Sequence, residues 1–364
     1  MKASRRDPVL SLFPLPALLR MDAGGLEISE HSIKYLSFTS GGKFSRIKEY
    51  GNKDIPQGIV IGGEIKDIAG LADILRGLLK EIKNPRVHVS LPEQKGYIFR
   101  MNVPRSAELS LREAVEFRLV EYVPLAPSDV VFDAEIIESE STDAEYILNV
   151  TAFPRSTVEG YYDALTIGGY TPLTFEIESQ AAARSVIPLR DAGVHMIVDF
   201  GETRTAIAVV QAGIVRFTTS LELAGGSLGA ALKKAGVMDA EIENTKNDVG
   251  IVGGRGEKAD GVLAPIVAQL RTEIQRHFVY WHTHGESVGA KHGSIGSVIL
   301  CGGNSNLRGL PEYLSAALRV PVTAASVWQN AFPLSSYVPA IPLNQSLRYA
   351  TVAGLALRCG IQSS

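Results

Sequence analysis

An α/β fold of more than one domain is what this 364-residue sequence predicts. Three observations carry the prediction. A strand–turn–strand pattern with an acid at the end of its first strand occurs twice, at Gly25 to Phe38 and at Met196 to Gln211, roughly one domain length apart. Helical segments, with apolar residues recurring at three and four positions, follow strands in both halves. Between about residues 96 and 169 the pattern changes to strands interrupted by one helix.

Composition sets the bounds. With 45% apolar and 21% charged residues the chain has ordinary globular composition and enough length for a substantial core. The 36 basic and 39 acidic residues leave a net charge of −3 without a basic block, so charge indicates neither nucleic acid nor an anionic membrane. Cys301 and Cys359 give no disulfide framework and fit a reducing cytoplasm. The seven histidines show no H-x-x-H or H-E-x-x-H spacing, which leaves His277, His282 and His284 without a metal role. Residues 1–20 carry Arg5-Arg6 and an apolar run broken by Pro14 and Pro16. The run is too short to span a bilayer and no cleavage site follows, so it reads as an N-terminal arm packed on the body.

Taken in order, the first hairpin is followed by strands at Lys43 to Tyr50 and Ile59 to Ile61. A helix at Lys66 to Ile82 then aligns Ile68, Leu71, Leu75, Leu78, Leu79 and Ile82 on one face. Val87 to Leu91 is a strand closed by Pro92. Strands at Tyr97 to Val103, Val130 to Ile137 and Tyr146 to Phe153 enclose a helix that Ser110 and Glu113 open as a capping box and Pro124 stops. Helices at Ser156 to Thr166 and Ser179 to Ile187 flank a strand at Leu173 to Glu178. Past the central hairpin come a helix at Ser227 to Ala235 and a long one at Gly261 to His284, read as burying Val262, Ile266, Leu270, Ile274 and Trp281. Val298 to Cys301 is an apolar strand, and the helix after it has Pro311 at its first position.

The two turns carry the chemistry. After Asp199-Phe200-Gly201, the consecutive N–H groups from Gly201 to Thr203 can face one concavity that suits a phosphate, and Asp199 is placed for a hydrated Mg²⁺. A surface hairpin with a turn-forming Asp and Gly accounts for the same residues. Glu27-Ile28-Ser29 occupies the matching place in the first hairpin, with Ser32 starting the next strand.

Two such hairpins facing across a cleft are the arrangement of the actin-like, ribonuclease H-like nucleotide-binding fold. From Gly25 to Arg358 the chain resembles the PilM family of cytoplasmic actin-like proteins of type IV pilus assembly, itself related to the cell-division protein FtsA. The resemblance rests on the first hairpin, VPRSAELSLREAVEFRLVEYVPLAPSDVVFDAEII (103–137), Ala181 to Arg184, the central hairpin with Gly225-Gly226, EIQRHFVYW (273–281), VILCGGNSNLRGLPEYL (298–314) and AGLALR (353–358). It implies an arm (1–22), a first lobe (23–95 and 170–192), an inserted SHS2-type subdomain called 1C (96–169), a second lobe (193–342) and a C-terminal helix returning to the first lobe (343–364). It also implies ATP with Mg²⁺. Phosphate contacts would come from Glu27, Ser29, Ser32, Asp199, Gly201, Thr203, Gly225 and Gly226, and ribose contacts from Glu243 and Lys246. The adenine turn would hold Gly302, Gly303 and Asn306, with Asp199 on the metal and Glu273 and Arg276 on the nucleotide side.

The implied partner is the cytoplasmic tail of PilN, which would hold the protein at the inner membrane among other pilus components, with a homo-oligomer also open. In the family that tail lies between subdomain 1C and the first lobe. The corresponding walls are Tyr97 to Val103 and Leu111 to Tyr122, with Tyr97, Phe99, Phe117 and Leu119 as apolar contacts and Arg112 and Arg118 as polar ones. Three alternatives come from other classes: a sugar or acetate kinase, an FtsA-like filament former, and a nucleotide-free scaffold as in type II secretion. The last is supported by Ser29-Glu30, which adds a β-carbon and a negative charge where the family has glycine and a small hydroxyl residue.

Overall fold

The computed structural model describes residues 22–39, 45–105, 109–223, 226–251, 257–284 and 293–361, so the N-terminal arm lies outside the described residues. Chain order is β1 (Gly24–Ile28), β2 (Ser32–Phe38), β3 (Ile47–Asp54), the short pair β4 (Val60–Ile61) and β5 (Glu64–Ile65), then α1 (Ile68–Ile82) and β6 (Arg86–Leu91). Asp67 caps α1, its side chain accepting from the Gly70 N–H, and the buried face is the expected one. The inserted segment holds β7 (Tyr97–Pro104), α2 (Leu111–Arg118), β8 (Val130–Ile136) and β9 (Glu145–Pro154). It leads through α3 (Arg155–Ile167) to β10 (Thr171–Ile177) and α4 (Glu178–Val186).

The second half runs β11 (Val194–Phe200), β12 (Thr205–Gln211), β13 (Ile214–Leu221), α5 (Gly226–Lys234), α6 (Glu257–His284), β14 (Ser297–Cys301), α7 (Leu310–Leu318), β15 (Val322–Ala324) and α8 (Ala350–Ile361). The two main sheets are ordered β3-β2-β1-β6-β10 and β13-β12-β11-β14-β15. Each begins with an antiparallel meander and continues with two parallel strands, so the repeated hairpins are the matching parts of two lobes of one topology. Helix α8 packs on α4 and β1. At the base of the lobes Leu36 and Ala183 share one core with Ile197, Val210, Trp328 and Val352.

The third sheet, β7-β9-β8, belongs to the insertion. Alternation along its strands separates two faces. Tyr97, Phe99 and Met101 of β7 with Leu148 and Val150 of β9 pack under α2, while Ile98 turns to the body. In α6 the core register falls one residue later than the spacing suggested at its start: Leu263 and Val267 are buried, whereas Val262 and Ile266 are only half-buried.

Candidate functional site

A cleft of about 960 Å³ opens between the lobes where the two hairpin turns meet. Glu27 and Asp199, each the next-to-last residue of a first strand, face it from opposite sides. Ser29, Ser32, Gly201, Thr203, Glu243, Lys246, Gly302 and Gly303 line it as well. Gly225 lies outside the described residues; Gly226 starts α5, and Gly229, Ala230 and Lys233 of that helix line the cleft. Asn306 is absent from the lining. Its amide donates to the Gly303 and Asn344 carbonyls, and Asn304 takes its place facing the cleft. Glu273 and Arg276 pair with each other at 2.7 Å on α6, away from the cleft.

The turns are more closed than their sequences suggested. The Gly201 N–H donates to the Arg204 carbonyl at 3.0 Å and the Ser29 N–H to the Ser32 carbonyl at 2.9 Å, so neither amide is directed at a ligand. Ser29 Oγ is within 3.1 Å of both the Ser32 amide and the Ser32 hydroxyl, which uses the side chain that replaces glycine to brace the turn. Glu30 does not stand free against phosphate. Its Oε1 accepts from the Gly62 N–H at 3.0 Å and lies 3.6 Å from Arg204 Nε, tying the first lobe to the second turn. The Glu30 part of the argument for a nucleotide-free scaffold is thereby weakened, since Arg204 offsets its charge.

The floor is acidic, and two of its four acids, Glu93 and Glu178, come from residues that no motif flagged. Lys34 Nζ donates to Glu27 Oε1 at 2.8 Å; burial opposes the ammonium, but Glu27, Asp199 and Glu178 together hold its pKa above the ordinary lysine value. Glu93, buried beside β6, accepts from the Ser179 N–H at 3.0 Å and from the Thr218 hydroxyl of the second lobe. Burial raises the Glu93 carboxyl, and burial with Glu93, Glu27 and Asp199 as neighbours raises Glu178 well above the carboxylate range. Asp199 is pushed from 3.8 to about 6, mainly by burial and then by Glu27.

On the other wall Lys246 Nζ meets Glu243 at 2.5 Å and donates to Asn304 Oδ1 at 3.0 Å, while Asn304 Nδ2 donates to the Gly201 carbonyl at 3.0 Å. Gly302 has φ +85°, and a β-carbon there would lie 2.4 Å from Asp199 Oδ1. Glycine is required at Gly302 by that close approach, independently of any purine.

The donor set fits a hydrated divalent cation. Glu27 Oε2 is buried without a hydrogen-bond partner, beside a carboxyl that is destabilised as an anion. Among the described residues no group of three or more metal-ligating side chains assembles, so an ion would rest on one or two carboxylates, water and phosphate oxygens, the usual coordination of Mg²⁺.

A second cavity, a groove of about 500 Å³, runs between the insertion and the first lobe and is closed at one end by the β12–β13 turn. Its walls are Val131, Phe132, Asp133, Glu135, Thr151 and Phe175, among others. None of the six expected partner residues lines it. Tyr97 and Phe99 lie on the α2 side of the sheet, with Phe99 stacked on Tyr122 at 4.4 Å. Leu119 is fully buried in that subdomain's core and offers no surface. Arg118 is held by Glu121 and the Asn102 carbonyl, Arg112 lies over Phe132, and Phe117 is 80% exposed on the outer face.

Two lobes of one topology, each delivering an acid-bearing hairpin to a shared cleft, define an actin-like protein. The family model for type IV pilus assembly protein PilM matches residues 25–360, and the chain belongs to that family. A solved structure titled as the PilM-PilN type IV pilus biogenesis complex superposes with a TM-score of 0.75 at 22% identity, covering 93% of this chain and 99% of that one. The ethanolamine utilization protein EutJ from Carboxydothermus hydrogenoformans gives a TM-score of 0.53 at 16% identity over 94% of this chain and 91% of its own. MreB5 of Spiroplasma citri bound to ADP gives 0.53 at 12% identity over 94% and 99%.

Proposed function

We propose that this protein is a nucleotide-binding adaptor of type IV pilus assembly, taking ATP with Mg²⁺ in the interlobe cleft and the cytoplasmic tail of a PilN-type partner in the groove. The observation that carries the nucleotide reading is the meeting of both hairpin turns on one acidic cleft, with Asp199 and Glu27 as the residues to hold the ion. The ion would neutralise phosphate charge that this floor would otherwise repel. Gly303 lies beside the Arg348 guanidinium, and Lys246 is fixed by Glu243 and Asn304, which suits the base and ribose end.

The partner reading places the tail in the groove on the body-facing side of the inserted sheet, rather than along the walls expected from sequence. β8 is an outer strand of that sheet, and an extended peptide lying along its body-facing side meets Val131, Thr151 and Phe175 as apolar and small contacts and Asp133 and Glu135 as polar ones. Membrane attachment would then come through the partner, since no helix among the described residues is long and apolar enough to cross a bilayer.

Calorimetry with ATP, with and without Mg²⁺, is expected to give Mg²⁺-dependent binding of micromolar affinity or weaker, about 8 kcal/mol or less. Absence of binding under both conditions would favour the nucleotide-free scaffold. The tail peptide of the PilN encoded in the same genome is expected to bind the intact protein and to be blocked by Thr151→Arg. Binding that survives this change but is lost in Phe117→Ala would return the site to the outer face of α2.

A further inference from the structure

Strand β13 reaches from one cavity to the other. Ser220 at one end lines the cleft, and Thr218 donates to the buried Glu93 of the first lobe. At the other end Ile214 and Val215, with Ala212 and Gly213 of the preceding turn, wall the groove. Between these ends the pairing with β12 slips: Val209 faces Phe217 while Val210 faces Val215. Arg216 is therefore the extra residue of a β-bulge, a device that re-aims a side chain and sharpens local twist. Val215 packs into the core shared by the lobes and Phe217 against the second lobe's own core on the opposite face. Without the bulge, strand alternation would put both on one face.

The bulge aims Arg216 at the inserted subdomain. Its guanidinium pairs with Glu140, in the connection between β8 and β9, and Glu140 also meets Arg100 of β7 at 3.0 Å. The three side chains are 7%, 21% and 13% exposed respectively. Burial lowers the Arg216 pKa and Glu140 opposes the shift, so this guanidinium depends on its carboxylate. An ion pair with so little water around it tolerates small displacements poorly, because separating the partners leaves a buried charge uncompensated. Strand β13 and the subdomain must then move together or break the pair.

We propose that the bulged Arg216, held by Glu140, which Arg100 holds in turn, is the joint through which occupancy of the cleft reshapes the groove, so that nucleotide and partner tail alter each other's affinity. The proposal rests on the reading that the cleft takes nucleotide and the groove takes the tail. A ligand that draws the lobes together pulls β13 through Thr218 and Glu93, and the same strand carries the groove's end wall. Linkage requires the effect to be equal in both directions.

The test uses the full chain and calorimetric titration with AMPPNP and Mg²⁺, with and without saturating tail peptide, and the reverse. The expected result is a change in Kd of about 5-fold or more, the same factor in each direction. Arg216→Met, which keeps the stem and leaves the Glu140 pair with Arg100 intact, is expected to bind each ligand alone within about 2-fold of wild type and to lose the coupling. Glu140→Gln is expected to do the same, and thermal melts identify a variant that is unfolded. Equal affinities in wild type with and without the other ligand would overturn the proposal while leaving the functional reading intact. Coupling that survives in folded Arg216→Met would overturn the joint. Failure of either ligand to bind wild type alone would defeat the functional reading, and the coupling with it.

Discussion

Asp199→Asn removes one charge and almost no volume, and the cleft gives its effect a definite sign. Burial and the neighbouring Glu27 raise the Asp199 carboxyl from 3.8 to about 6 in the folded protein, while in the unfolded chain it returns to the ordinary value. A carboxyl raised on folding binds its proton more tightly in the native state, so its contribution to stability is present at low pH and is lost as pH rises from about 4 through about 6. At 1.36 kcal/mol per pH unit, a shift from 3.8 to about 6 corresponds to about 3 kcal/mol above that window. The variant cannot ionise there. It is therefore expected to be more stable than wild type at pH 8 by up to about 3 kcal/mol, and equal to it near pH 3 to 4.

Urea unfolding across a pH series, in the absence of divalent cations, checks this. A variant no more stable at pH 8, or a difference that does not shrink on acidification, would refute the placement of Asp199 in a buried acidic cluster. Adding ATP with Mg²⁺ should close most of this gap. A ligand present at 100 times its Kd stabilises the native state by about 2.7 kcal/mol, and the variant is expected to lose most of that gain. Increased apo stability together with lost ligand stabilisation marks a functional site, because a merely structural aspartate would lose on both counts.

Two further changes test the packing. At Gly354→Ala the new β-carbon would lie 1.7 Å from the Ala181 carbonyl oxygen, so α8 and α4 must separate; a loss of about 1–3 kcal/mol or more is expected by circular dichroism melts, and an unchanged melt would refute the helix contact. Leu119→Ala should cost about 2–5 kcal/mol because Leu119 is fully buried, whereas Phe117→Ala should stay within about 0.5 kcal/mol because Phe117 is 80% exposed. Similar losses for the two would contradict the packing of α2 on its sheet.

Much of the architecture was legible because it rests on short-range pattern. The apolar spacing of Leu71, Leu75, Leu78 and Ile82 set the buried face of α1, and Ser110 with Glu113 formed the capping box at the start of α2. The matching places of Glu27 and Asp199 in two hairpins point to a repeated unit, and the two sheets share one topology. The long helix α6 was harder. Val262 and Leu263 are both apolar neighbours, and only packing against the second lobe's core selects Leu263.

The candidate site was legible only where a turn carried its own signal. Lys34, Glu93, Glu178 and Asn304 come from four separate segments, and no spacing in the chain links them. Alternation in β7 showed that Tyr97 and Phe99 share a face, yet the choice between the α2 side and the groove side is made by where the subdomain docks. Glu30 looked repulsive beside Ser29, and Arg204, which answers it, lies on the other lobe.

By itself, then, the sequence determined the class of fold, the two acid-bearing turns and the family, because hydrophobic period and turn chemistry act over a few residues. Tertiary structure alone decided that the Gly201 and Ser29 amides are used within their own turns, that the floor of the cleft is a cluster of buried acids, and that the groove lies on the body-facing side of the inserted sheet. Charge and burial act through space between segments up to a whole lobe apart, and a linear chain does not display those distances.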